Sequence, residues 1–182
     1  VGARQLQQAG FVERLRALLG AHPKVRPSDL ELEVLETSAL QDLVQISSVI
    51  AACGEIGVSF TLDDFGTGYS SLTYLKRLPV TRLKIDQSFV RDMLDDEDDL
   101  AILEGVLGMA AAFRREVIAE GVETVEQGAM LLQLGCRRAQ GYGIAAPMKA
   151  QEIPAWSAAW RTDPSWGALP VVNRDELPLL FA

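Results

Sequence analysis

An α/β fold on a parallel sheet is predicted by three features of the sequence. Strand-like and helix-like hydrophobic periods alternate along the chain, as in repeated strand–helix units with right-handed crossovers. Each of the main strand patterns ends on an acid or near a lysine. The 182 residues are 48% hydrophobic, enough for one domain with a real core and too apolar for a disordered chain.

The elements follow in order. Leu6, Phe11, Val12, Leu15, Leu18 and Leu19 make a helical stripe over residues 5–19, and Pro23 and Pro27 punctuate the turn after it. Residues 29–34 alternate apolar and acidic, which predicts a strand. Leu40, Leu43, Val44, Val49, Ile50 and Cys53 predict a helix over 38–53, with Gly54 as its stop. Val58, Phe60 and Leu62 predict the next strand, followed by a Gly- and Ser-rich loop over 63–71. A short helix over 74–78 ends at Pro79. Residues 80–86 read as a strand with Leu83 and Ile85 on one side and Lys84 and Asp86 on the other.

Acids at 95–99 open a helix that runs to about Arg115, where its dipole favours them. Residues 117–120 form a strand. Thr124 and Gln127 fit a capping box for a helix that Gly135 ends. A fifth strand is predicted over 138–142, and a last helix carries Trp156 and Trp160, read as packing residues. From about Thr162 the Pro and Gly content suggests a tail or linker.

The formal net charge of -8 argues against binding DNA or RNA along an extended basic face. Cys53 and Cys136 lack metal-ligand spacing and read as reduced, buried thiols, and His22, the one histidine, reads as a surface residue. No apolar run is long enough to span a bilayer, so no direct membrane contact is expected from this segment.

Four segments concentrate the charge: Leu-Glu-Leu-Glu at 30–33, Leu-Asp-Asp-Phe-Gly-Thr-Gly at 62–68, Leu-Lys-Ile-Asp at 83–86 and Ile-Ala-Glu-Gly-Val-Glu at 118–123. On parallel strands these ends converge at one rim, where (β/α) barrels place their chemistry. Unpaired charges would be ruinous in a core, whereas a carboxylate cluster beside a lysine suits divalent cations that bind phosphate. Asp63 and Asp64 would face opposite ways on a flat strand; Gly66 and Gly68 loosen the turn so that both reach one centre. An Asx-turn or helix cap is the plainer reading of that pair, and an ion pair with Asp86 the plainer reading of Lys84. Five strands cannot close a barrel of eight. The alternative, an open doubly wound sheet, lacks a Gly-rich phosphate loop after its first strand.

The runs DDFGTGYSSL at 63–72, KIDQSFV at 84–90, AEGVET at 119–124, and QGY at 140–142 with Pro147-Met148 resemble the signatures of the EAL domain, the bacterial phosphodiesterase family that hydrolyses cyclic di-GMP. The resemblance implies a modified (β/α)8 TIM-like barrel, present here as an incomplete barrel of about five strand–helix units. It places the match at the C-terminal two-thirds of the domain, residues 1–161, with 162–182 as tail or linker. The Glu-Ala-Leu motif and an Asn metal ligand would then lie before Val1. One departure is Glu33-Val34-Leu35-Glu36-Thr37, where the family reads Glu-x-Thr-Glu-Ser; another is Ala146, where many members carry Arg.

By the same resemblance, Glu33, Asp63, Asp64 and Glu120 correspond to ligands of two Mg²⁺ or Mn²⁺ ions. Lys84 and Glu120 correspond to catalytic groups, with Glu120 either a ligand or the carboxylate that activates water. Glu36 and Glu123 would organise loops, Gln140 and Asp64 would bind substrate, and Asp86 would support the cluster. The implied reaction yields linear pGpG from cyclic di-GMP in a cytoplasmic, homodimeric protein. The chain alone is expected to be inactive for want of its N-terminal ligands. The competing expectation is a degenerate EAL module that binds cyclic di-GMP or a protein partner.

Overall fold

The computed structural model describes residues 1–39, 42–67 and 72–167. Leu40, the loop positions 68–71 and the expected tail beyond Gly167 lie outside the described residues. The chain divides into two compact units, residues 1–86 with 108–117 and residues 87–107 with 118–182.

In the first unit, the predicted opening helix is split into α1 (Ala3–Leu6) and α2 (Phe11–Ala21), because Gly10 takes a left-handed φ of 75° between them. A 3-10 turn at Pro27–Asp29 leads into β1 (Glu31–Leu35). The next predicted helix is also split, into α3 (Glu36–Ala39) and α4 (Leu43–Glu55). Asp42 caps α4, accepting from the Gln45 N–H at 3.1 Å. The stop is Gly57 rather than Gly54: Gly57 has φ 89°, and the Val58 N–H donates back to the Cys53 carbonyl at 3.1 Å. Then follow β2 (Ser59–Phe65), α5 (Leu72–Arg77) and β3 (Arg82–Ile85).

The strands pair in parallel. Glu31 lies beside Ser59 and Leu35 beside Asp63; Thr61 lies beside Arg82 and Leu62 beside Leu83. The sheet order is β1-β2-β3-β4, where β4 (Glu116–Ala119) joins β3 through the Glu116 N–H and the Thr81 carbonyl at 3.1 Å. Phe60, Thr61 and Leu62 are all buried, so β2 is covered on both faces, as the inner strand of a parallel sheet should be. Val34, Ile46, Ile50, Cys53, Leu75 and Leu83 complete this core. At the opposite strand ends from the acidic rim, Arg82 pairs with both Glu31 and Glu116.

The second unit contains α6 (Gln87–Asp92), in a stretch between the strand ending at Asp86 and the acids at 95–99 for which no element was expected. It also holds the first part of α7 (Glu97–Ala112), the end of β4, α8 (Val125–Gln133), α9 (Ile153–Ala159) and α10 (Pro164–Gly167). The expected capping box is present: Thr124 accepts from the Gln127 N–H at 3.2 Å, and Gln127 Oε1 accepts from the Thr124 N–H at 3.1 Å. Gly135, at φ 81°, closes α8 as predicted.

The predicted strand over 138–142 is reduced to one parallel bridge, Ala119 with Ala139. Trp156 and Trp160 pack as a tilted pair, 6.1 Å between ring centres. The start of the expected tail is ordered as α10, whose Trp166 donates its indole N–H to the Val125 carbonyl at 2.9 Å and lies over Gly128 of α8. Both cysteines are buried free thiols, burial raises the Cys53 thiol above its ordinary range, and His22 is exposed. Among the described residues, no helix is long and apolar enough to cross a membrane.

Candidate functional site

In the first unit Glu33 lies mid-strand on β1, beside Thr61, while Asp63 and Lys84 lie in the C-terminal halves of β2 and β3 and Asp86 just past β3. Lys84 Nζ lies 3.0 Å from Glu33 Oε1 and 3.0 Å from Asp63 Oδ1. The lysine side chain is only 6% exposed, against 49% for Glu33 and 20% for Asp63, so the cation sits beneath the carboxylates. A buried ammonium is tolerable only with such neutralisation.

Asp63 and Asp64 reach the same region by a route the sequence did not disclose. The β2–β3 register slips between Leu62 and Phe65, and Asp64 takes φ 55° within the strand. This is a bulge with a left-handed aspartate, one of the few non-glycine residues that accept that conformation. It undoes the strand alternation, and the two residues offer carboxylate oxygens within 4.8 Å of each other. The turn is fixed from outside: buried Glu36 accepts from the Gly66 N–H at 3.1 Å, and the Thr67 hydroxyl donates to the Asp64 carbonyl at 2.9 Å.

Crowding leaves its mark on Asp64. Burial, then the charges of Asp63 and Asp86, raise its carboxyl above the ordinary range; Lys84 opposes this, and a hydrogen bond with Asp86 adds to it. Among the described residues Asp63 Oδ1 is buried without a hydrogen bond, with the Lys84 ammonium at ion-pair distance. An all-oxygen set with an unbonded buried carboxylate atom fits a hard divalent cation. Leu35, where threonine was expected, is 41% exposed and leaves the neighbouring Glu36 contact intact.

The second unit places Glu120 just past β4, where it accepts a hydrogen bond from the Gln140 side-chain amide. The Gln140 backbone brackets the same segment, donating to the Ala119 carbonyl at 2.9 Å and accepting from the Val122 N–H at 3.1 Å. Glu123 is exposed; its N–H donates to Gln127 Oε1 at 2.8 Å. Two glycines allow the close approach of residues 141–143. A Cβ at Gly141 would sit 2.2 Å from the Val122 carbonyl oxygen, and one at Gly143 would sit 2.6 Å from that of Glu123. The sequence marked Gln127 as a cap only; its position three residues after Thr124 was the available signal.

Comparisons with known proteins identify the family and the fold. The family model described as EAL domain matches residues 1–147. The bifunctional diguanylate cyclase/cyclic di-GMP phosphodiesterase MucR of Pseudomonas aeruginosa is 40% identical over 155 residues, 85% of this chain and 22% of MucR. The PaMucR phosphodiesterase solved as a c-di-GMP complex has a TM-score of 0.79 at 40% identity, covering 84% of this chain and 62% of that one. The EAL domain of Mycobacterium smegmatis DcpA gives 0.82 at 37% identity, covering 90% and 73%. The chain thus spans about a fifth of the length of its curated relative MucR.

Proposed function

The chain belongs to the EAL-domain family, with a TIM-barrel-like α/β fold, and from that premise we propose that its parent protein hydrolyses one phosphodiester bond of cyclic di-GMP to give linear pGpG. The observation that carries the proposal is Lys84, buried at a strand end with carboxylates of Glu33 and Asp63 each 3.0 Å away and Asp64 and Asp86 beside them. The names of the relatives support the substrate: MucR and PA2567 of P. aeruginosa are both described as cyclic di-GMP phosphodiesterases.

EAL domains are metal-dependent enzymes, and the residues that would hold Mg²⁺ or Mn²⁺ here are Glu33, Asp63, Asp64 and Glu120. A bound divalent cation supplies a water of lowered pKa and polarises the phosphoryl oxygens. The chain's own groups do the rest. Lys84 orients the attacking water and offsets negative charge on the phosphate. Water adds to phosphorus, the bond to the 3′ oxygen breaks, and the proton lost by water passes to a carboxylate while the leaving oxygen gains one. Glu120, which accepts a hydrogen bond from Gln140, would take that proton or ligate the cation. Glu36 holds the turn after Asp64, and Asp86 shares a hydrogen bond with Asp64. Glu123 orders the loop that follows Glu120, and Gln140 and Asp64 approach the substrate.

The proposal places the reaction in the complete domain, in the cytoplasm and in a homodimer; the 182 residues as given are expected to show little hydrolysis alone. The test follows pGpG release from cyclic di-GMP with Mn²⁺, by the parent protein and by this chain. Lys84→Met and Glu120→Gln in the parent should each lower kcat by about 10²–10⁴-fold. A parent that binds cyclic di-GMP without hydrolysing it would replace this reading with the degenerate binding module. The FimX EAL domain of P. aeruginosa, 27% identical, is a relative solved bound to c-di-GMP.

A further inference from the structure

We propose that Gln127 is a positioning residue for Glu120, through a tie that exceeds what a helix cap requires; this rests on the reading of Glu120 as a metal-site carboxylate. A capping box needs only an acceptor at this position, and glutamate fills it as well as glutamine. Near a helix N-terminus glutamate would be the better choice, because the dipole favours a negative charge. Gln127 does more than accept. Its Oε1 takes the Glu123 N–H at 2.8 Å and the Thr124 N–H at 3.1 Å, while its Nε2 donates to the Arg91 carbonyl at 3.1 Å. The side chain is 5% exposed, so these bonds are made out of water's reach.

The Arg91 carbonyl belongs to α6, and α6 touches the same loop a second time. Gly121, next to Glu120, has φ 72°, and a Cβ there would lie 2.5 Å from Gln87 Cβ. The loop 120–124 is therefore seated on α6 at both ends: Gly121 against Gln87, and Thr124 through Gln127 to Arg91. Between these anchors, Val122 exchanges backbone hydrogen bonds with Gln140 and Gly143, and Gln140 donates its side-chain amide to Glu120. Releasing the Gln127 anchor frees the loop that aims Glu120, without removing any atom of Glu120 or Gln140. A carboxylate at this position could receive the two loop N–H groups but has no hydrogen to give α6.

The test uses the complete parent protein and Mn²⁺ alone, with free Mn²⁺ read by electron paramagnetic resonance. Gln127→Glu keeps the cap and loses the donor; it is expected to weaken Mn²⁺ affinity about 10-fold, the low end for partners that orient a ligand. Its metal-free melting temperature should fall by a few degrees at most while the domain stays folded, because the new carboxylate faces the Arg91 carbonyl out of water. Gln127→Met, which loses both, should weaken binding at least as much. Leu131→Ala, a core truncation in the same helix, should lower the melting temperature and leave Mn²⁺ affinity alone. A folded Gln127→Glu or Gln127→Met that binds Mn²⁺ like the parent overturns the assignment, and so does failure of both to fold, which makes Gln127 structural. Glu120→Gln separates the two failures. If it too keeps the parent affinity, the metal reading of Glu120 falls and this inference with it. If it loses affinity while the Gln127 variants keep it, the positioning role alone falls.

Discussion

Asp64 concentrates the conflict between folding and function at a single residue. It carries a positive φ inside a strand and a charge beside Asp63 and Asp86. Without a cation, its carboxyl is held above the ordinary range, so ionising it at neutral pH works against the folded state. Asp64→Asn keeps a side chain that accepts the left-handed conformation and removes the repulsion. It should raise metal-free stability at neutral pH, in urea unfolding, while abolishing the stabilisation that Mn²⁺ gives the parent. Asp64→Val should lose about 1–2 kcal/mol, because a β-branched residue is strained at φ 55°. An Asn variant less stable than the parent without metal would contradict the crowding. The pairing of acids with Lys84 was legible in the sequence, since an inward lysine at a strand end demands neutralisation. The positive φ was not, because Asp-Asp specifies no bulge by itself.

Hydrophobic period located most elements, and it failed where backbone contacts decide. The four strands and the capped helix α8 fall within a few residues of their sequence patterns. The fifth predicted strand, Arg138 to Tyr142, is reduced to a single bridge at Ala139. Beyond it the chain turns so that Gly141 and Gly143 lie on the Val122 and Glu123 backbones, a contact that no side-chain period encodes. Short α6 was missed for a similar reason: it starts two residues after β3, and its role is to support a loop through a carbonyl and a Cβ. Gly141→Ala tests the close approach. Its Cβ would meet Val122 backbone at 2.2 Å, so the loop must move, at a cost of roughly 1–3 kcal/mol or more. The melting temperature of the complete domain should fall by several degrees. An unchanged melting temperature would mean that residues 141–143 lie farther from Val122.

At the scale of the whole molecule, the family resemblance implied a barrel, and counting strands in the sequence showed that these residues alone could not close one. The structure gives a sheet whose order begins at β1 and ends at β4. β1 is paired to β2 on one side, and no further strand flanks it among the described residues. β1 thus forms an edge of the sheet, and an uncovered row of strand donors and acceptors invites pairing with another chain. Leu35 at the end of β1 and Val44 on α4, both exposed, add apolar surface in the same unit. The isolated 182-residue chain is therefore expected to self-associate as its concentration rises, through the β1 edge, which further barrel strands in a complete domain would cover. Light scattering on both forms separates this from the proposed homodimer: the complete domain should hold one fixed mass, and the short chain should show a mass that grows with concentration. A short chain that stays monomeric across that range, and unfolds as stably as the complete domain, would show that the edge needs no partner.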